Sequence, residues 1–193
     1  MKPHWKKKLV DIAQEAPETI ILAEDEASLY LQATTKAVWA PRGQTPVVRA
    51  HPGRDNIHFY GTLNLLTGQE IVMSSTVMNA EISAQYLGYI LLTWPGVPIL
   101  LLWDRAPWHF GQPIRDVLEA NPRLEIMYFP PAAPDLNPQE QVWKDTRCAV
   151  SHNHLQTRLS ELAHRFEQHL KSNTFEHSFL DDYGFNDICP MFK

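Results

Sequence analysis

Thr19 to Ala27, TIILAEDEA, is an unbroken apolar run that turns acidic at its end. That is the pattern of a central strand buried on both faces, with polar groups gathered at its C-terminal end. Residues 36–50, KAVWAPRGQTPVVRA, carry two short apolar pieces around a Pro-Arg-Gly turn and predict a hairpin. Residues 56–76, NIHFYGTLNLLTGQEIVMSST, predict two more strands joined at Leu66-Thr67-Gly68-Gln69. From Ala80 to Thr93 the period lengthens: Ile82, Tyr86, Leu87, Ile90 and Leu91 fall at helical spacing behind Asn79, a plausible N-cap. Val97 to Trp103 is a second buried strand ending in an acid, Asp104. A short helix over Ile114–Ala120, a strand over residues 123–130 and a helix from Asn137 to about Val150 follow. The last helix is predicted from Leu155 to Leu170, with Leu155, Leu159, Leu162, Phe166 and Leu170 on one face. Residues 5–16 predict a short helix ended by Pro17, and the tail beyond Ser172 reads as irregular, acidic and aromatic.

Three locally joined strands followed by alternating helices and strands define an α/β fold. Its expected form is a mixed five-stranded sheet, a three-strand antiparallel meander continued by parallel strands, with helices on both faces. Sites in such open sheets form outside the carboxyl ends of the central parallel strands. One segment competes with this reading: Tyr86 to Trp103 is uncharged and long enough to raise a membrane span. Pro95, Gly96 and Pro98 split it into a helix, a turn and a strand, so no membrane partner is expected.

Composition narrows the class. A chain of 193 residues is long enough for one domain with a sizeable core. Its 44% hydrophobic and 20% charged residues are those of a soluble globular protein. The two cysteines, Cys148 and Cys189, are too far apart to suggest a disulfide framework or a zinc site, which fits a reducing compartment. The basic N-terminus is followed by no apolar core of a secretory signal. The net charge of -5 lacks the basic stripe of a free-standing DNA-binding domain. Lys6-Lys7-Lys8, the one dense basic run, reads as a solvated helix face.

Three acids stand out against that background. Asp25 and Asp104 end central strands, and Glu140 opens a helix. Glu140 also has a simpler reading: in Asn137-Pro138-Gln139-Glu140 it sits where a capping-box glutamate turns back to the helix start. Asp25 is followed by Glu26, and either could be the functional acid. Asp104 alone would serve equally well as a turn cap. Gathered in one pocket, a few carboxylates suit magnesium, a hard cation that takes oxygen ligands and keeps several waters. Two such ions could activate a nucleophile and stabilise a leaving oxygen in phosphodiester displacement.

The stretches LAEDEASLYLQATTKAVWAPRGQTP, LLLWDRAPWHFG and FPPAAPDLNPQEQVWK resemble the three catalytic blocks of DDE transposases of the mariner superfamily, in its bacterial insertion-sequence branch. The blocks occur in order within residues 18–150, with 35 residues between Asp104 and Glu140. The resemblance implies an RNase H-like fold and DNA strand cleavage and joining dependent on two Mg2+ or Mn2+ ions. It carries over Asp25, Asp104 and Glu140 as the catalytic, metal-binding triad. The family pattern puts the first ligand on the first acid of the Asp-Glu pair. Neighbouring strand side chains point to opposite faces, so Glu26 and Glu24, of one parity, should face away from the pocket. The implied partners are DNA, both transposon terminal repeats and target DNA, and a second copy of the chain in a homodimer. The implied place is the bacterial cytoplasm, at the nucleoid.

His109 could orient water or phosphate near the metal, with a supporting structural role as the alternative. Trp108 and Trp143 read as packing residues, and Arg42 as an exposed turn arginine or a phosphate contact. His152, His154, His164 and His169 tempt a zinc reading that no cysteine pair supports, and the last two read as a solvated helix face. Too few residues precede the first block for a helix-turn-helix region. Residues 1–18 are therefore expected to be a linker-helix remnant, 19–172 the RNase H-like catalytic domain, and 173–193 a tail. A truncated remnant, the second half of a frame-split element with a separately encoded DNA-binding half, and an isolated catalytic domain all fit. The runner-up reading is a catalytically idle remnant that only associates with itself or a partner.

Overall fold

The apolar run at Thr19 becomes the central strand, and it is longer than expected. The computed structural model describes residues 12, 15–45, 47, 54–131 and 133–175. Strand β1 is Ile20–Tyr30, so its acids lie in mid-strand rather than at the end. Two ladders explain this. With β4, Ile99–Trp103, β1 pairs in parallel only over Ile20–Ala23. With β2, Asn56–Asn64, it pairs antiparallel from Leu22 to Tyr30, which satisfies the backbone well past the acids. Asp25 therefore sits just beyond the point where β1 and β4 part.

Strand β3, Glu70–Ser75, pairs antiparallel with β2, and β5, Leu124–Tyr128, pairs in parallel with β4. The sheet order is β3-β2-β1-β4-β5, the expected meander continued by parallel strands. Between β3 and β4 runs α1, Ala80–Thr93, with the Asn79 side chain accepting from the Ile82 N–H as the sequence predicts. Helix α2, Gln112–Ala120, precedes β5; α3, Gln139–Thr146, and α4, Leu159–Ser172, follow it.

Strand parity divides the core in two. Ile21, Ala23, Phe59, Leu63, Leu100 and Leu102 face α3 and α4 through Val142, Trp143, Leu162 and Phe166. Leu22, Tyr60, Ile71, Leu101 and Trp103 face α1 and α2 through Tyr86, Leu87, Ile90 and Ile114. Helices cover both faces, and among the described residues none is long and apolar enough to cross a membrane.

Three expectations need correction. Residues 36–45 form no strand: Val38 is exposed and Trp39 fully so. The Pro41–Gln44 turn is present, with the Gln44 N–H on the Pro41 carbonyl at 3.0 Å. Pro41 removes a donor directly after a piece only three apolar residues long, so no ladder forms over residues 36–45. The second piece lies mostly outside the described residues. Helix α4 starts at Leu159, and Leu155 lies outside it, 73% exposed, after Asn153 has taken a left-handed φ of 53°. Helix α3 keeps α geometry only to Thr146 and continues as a π turn over Arg147–Ser151. Of the helix expected over residues 5–16, Ile12 and Glu15 are helical and the rest lies outside the described residues, as does the tail beyond Phe175.

Candidate active site

Where β1 and β4 part, a cavity of about 300 Å³ opens, and Asp25, Asp104 and Glu140 all line it. Asp25 comes from β1, Asp104 is the first residue past β4, and Glu140 is the second residue of α3. Arg105, Asn137 and the Phe129-Pro130-Pro131 turn complete much of the wall.

The start of α3 is fixed by side chains. Asn137, 3% exposed, donates through Nδ2 to the Glu24 carbonyl at 2.9 Å, just past the end of the β1–β4 ladder. Its Oδ1 accepts from the Gln139 N–H at 3.1 Å. Gln139 in turn donates to Glu70 Oε1 on β3 at 2.7 Å. Helix α3 is thus tied to β1 and β3 one residue before Glu140. Among the described residues the Glu140 carboxylate makes no hydrogen bond. The cap belongs to Asn137 alone, and Glu140 does not turn back as a capping-box residue does.

Each aspartate is held through one oxygen. Asp104 Oδ1 accepts from the Ala106 N–H and from His109 Nδ1, both at 2.8 Å. Asp25 Oδ2 accepts from Trp143 Nε1 at 3.1 Å. Among the described residues no side chain occupies the second oxygen of either.

Glu24 and Glu26 do not line the cavity, as strand parity requires. Glu24 is buried and accepts from Trp103 Nε1. Burial first, then the charges of Glu26 and Asp25, push its carboxyl well above the ordinary range. Glu26 Oε1 accepts from Trp108 Nε1 at 2.9 Å and from His109 Nε2 at 2.8 Å. His109, 1% exposed and stacked on Trp103 at 3.9 Å, therefore bridges Glu26 and Asp104 with both ring nitrogens. Burial disfavours the imidazolium, but the two carboxylates outweigh it and raise His109 to about 9. Burial alone would raise Asp104 as well; the His109 bond and the Ala106 N–H reverse this and lower it.

Glu24, Glu26 and His109 bring ligand-type atoms within 4.8 Å of one another. That group lies outside the cavity, where His109 is already hydrogen-bonded to both Glu26 and Asp104. His109 thus stands behind Asp104 rather than in the cavity. His152, His154, His164 and His169 join no metal-capable group among the described residues. His164 is exposed, while His169 meets Thr146 Oγ1 at 3.2 Å and is not a purely solvated residue. Arg42 is exposed in its turn and away from the cavity.

Asp25 is the electrostatic centre of the cavity. Burial first, and then the charges of Glu140, Glu26 and Asp104, raise its carboxyl well above the ordinary range. The sequence missed Trp143 as its partner. The signal was the spacing: Trp143 lies three residues beyond Glu140, hence on the same side of the helix. Arg105 is also new: exposed, with its guanidinium 5.0 Å from the Tyr128 ring centroid, it is a cation on the wall of an acidic cavity.

A β3-β2-β1-β4-β5 sheet with a carboxylate cavity where its central parallel strands diverge is the RNase H-like architecture. Residues 20–163 match the DDE superfamily endonuclease family, and the chain belongs to that family. The insertion element IS630 uncharacterized 39 kDa protein of Shigella sonnei is 23% identical over 157 residues, which are 79% of this chain and 46% of that protein. Among solved structures, the Mos1 transposase paired-end complex with left transposon end matches with a TM-score of 0.69 at 16% identity, over 94% of this chain and 57% of that one. The catalytic domain of Mos1 mariner transposase gives 0.61 at 12% identity, over 97% and 88%. The chain thus spans about half the length of the curated relative and of the Mos1 chain in the DNA complex.

Proposed function

We propose that this chain carries the catalytic domain of an insertion-sequence transposase, a divalent-metal-dependent DNA endonuclease and strand transferase. Asp25, Asp104 and Glu140 are its catalytic carboxylates. One observation carries the reading: three acids from three separate elements line one cavity, and among the described residues each has a carboxylate oxygen with no side-chain hydrogen-bond partner. Mutual repulsion among them is relieved by a cation, and an all-oxygen donor set fits Mg2+ or Mn2+. Paired-end complexes of Mos1 mariner transposase solved with Mn and with Mg support the class of ion. Two ions are proposed on the strength of the three carboxylates and the family chemistry. When bound, such ions supply Lewis-acid activation of the attacking oxygen and neutralise charge on the leaving 3'-oxygen.

The chain's own residues provide the rest. Asp104 offers one free oxygen because His109 and the Ala106 N–H hold the other, which makes His109 a positioning residue. Glu140 faces the cavity because Asn137 and Gln139 fix the first turn of α3. Arg105 supplies a cation that can meet a DNA phosphate at the cavity wall. The substrate is DNA at transposon ends, and two copies working on paired ends is the arrangement we infer. Residues 19–172 would form the catalytic unit, with DNA-end recognition supplied by a helix-turn-helix segment in cis or from a separate chain.

The test is Mn2+-dependent nicking of element-end DNA. Wild type should nick, and Asp104→Asn and Glu140→Gln should each lose at least about a hundredfold in rate, since each removes a ligand charge from the reacting centre. Equal nicking by Asp104→Asn would overturn the reading.

A further inference from the structure

We propose that Trp143 is a positioning residue for the metal-binding oxygen of Asp25, and that position 61 is glycine to admit the ring that does this. The inference rests on the reading of Asp25 as a metal ligand.

Trp143 is fully buried in the α3 face of the core, and its Nε1 donates to Asp25 Oδ2 at 3.1 Å. Gly61 lies directly opposite Asp25 in the β1–β2 register. A Cβ placed there would lie 2.4 Å from Cη2 of Trp143, 2.6 Å from Nε2 of Gln139 and 2.6 Å from Oε1 of Glu70. Real Cβ contacts are never that short, so a methyl group at position 61 must displace the indole, the Gln139–Glu70 bond or both. Among the described residues the glycines with positive φ are Gly43, Gly68, Gly96 and Gly111, and Gly61 is not one of them. Space, not backbone freedom, is what makes it glycine.

The consequence is directional. With the indole N–H on Oδ2, Oδ1 is the oxygen without a side-chain partner, and tilting the carboxylate plane away from the indole would leave a buried donor unpaired. Asp104 is held in the same manner by His109 and the Ala106 N–H. Trp143 also sits three residues beyond Glu140 on one short helix, so the indole sets the spacing between Asp25 and Glu140 as well as the angle of Asp25. Partners that orient a metal ligand without touching the metal are worth about 10- to 100-fold in metal affinity.

A buried indole also needs a hydrogen-bond acceptor for structural reasons alone, so the experiment has to separate the two roles. Trp143→Phe keeps an aromatic ring in the core and removes the donor together with part of the ring volume, as the Trp103→Phe control also does. Trp103→Phe is the matched control: it removes an equally buried indole bond, to Glu24 on the opposite face of β1. Mn2+ binding is read from the loss of the free-ion electron paramagnetic resonance signal, with thermal melting alongside. Trp143→Phe is expected to bind Mn2+ about tenfold more weakly than wild type. Trp103→Phe is expected to match wild type in Mn2+ affinity. Gly61→Ala, which keeps the indole but moves it, is the second variant and is expected to weaken binding by a similar factor. Wild-type affinity in either Trp143→Phe or Gly61→Ala, whichever folds, overturns the proposal, as does an equal loss in Trp103→Phe. A wild-type chain that takes up no Mn2+ overturns the proposed function itself, and this inference with it.

Discussion

Asn137→Ala tests how the site is built, because one amide ties the helix bearing Glu140 to the strand bearing Asp25. Both Asn137 bonds are buried: its Nδ2 meets the Glu24 carbonyl at 2.9 Å and its Oδ1 takes the Gln139 N–H at 3.1 Å. Alanine leaves a buried acceptor and a buried donor without these partners, each worth about 1–3 kcal/mol. If water reaches one of the two, the expected loss is about 3 kcal/mol. For a domain of this size that corresponds to a fall in Tm of about 6–12 °C. The assay is equilibrium unfolding in urea, where the midpoint should fall while the slope stays constant. Mn2+-dependent nicking, measured well below the new Tm, should fall as well, because the first turn of α3 is no longer fixed against β1. Asn137→Asp keeps the acceptor for the Gln139 N–H but sets a carboxylate against the Glu24 carbonyl, and should be no better than alanine. A midpoint within about 0.5 kcal/mol of wild type for Asn137→Ala, the range of an ordinary surface substitution, would show that the clamp contributes nothing.

Three further outcomes follow from separate parts of the structure. Burial raises the Glu70 carboxyl well above its ordinary value, against the opposing bond from Gln139, so the folded state holds a proton that the unfolded state releases. Stability must then fall as pH rises from the ordinary carboxylate range toward the raised value; Glu70→Gln should remove this slope, and its Tm advantage over wild type should grow between pH 4 and pH 8. His109→Ala strands Glu26 and Asp104, and should cost about 3 kcal/mol by denaturant melting and weaken Mn2+ binding, because a broken buried ion pair leaves uncompensated charge. Arg105→Ala should weaken DNA binding to a similar extent on all sequences and lower the salt dependence of binding by about one ion, measured by fluorescence anisotropy across a salt series.

The sequence made the sheet legible because its signals are local. The buried runs at Ile20 and Ile99, the Thr67-Gly68 turn and the Asn79 cap each depend on residues within a few positions of one another. It failed where the outcome depends on a distant partner. The length of β1 depends on β2, which keeps pairing through Tyr30 opposite Asn56 after β4 has left. The loop around Trp39 was misread because alternation over three residues cannot be told from a strand without knowing whether a neighbour is there. Its actual neighbour is the turn at Asn153, which exchanges two hydrogen bonds of 3.0 Å with the Lys36 backbone.

Glu24, Asp25 and Glu26 show the same limit at the scale of chemistry. Parity alone separates Asp25 from its neighbours, and that much can be read from the strand pattern. Their charge states cannot. Each accepts an indole N–H, from Trp103, Trp143 and Trp108, which lie 79, 118 and 82 residues further along the chain. The same donor chemistry has three results because the surroundings differ. Glu24 is fully enclosed, and burial raises its carboxyl even with His109 Nε2 4.0 Å away. Glu26 has His109 Nε2 at 2.8 Å beside its indole partner. Asp25 opens onto the cavity with two further acids, so its own burial and their charges oppose ionisation until a cation arrives. Parity turns Glu24 and Glu26 to the opposite face of β1, so three consecutive acids present one carboxylate to the cavity. On that face Trp103, His109 and Trp108 of the second block are their hydrogen-bond partners. His109, from the block that supplies Asp104, ties that aspartate to Glu26, so the second block fixes Asp104 against the strand that carries Asp25.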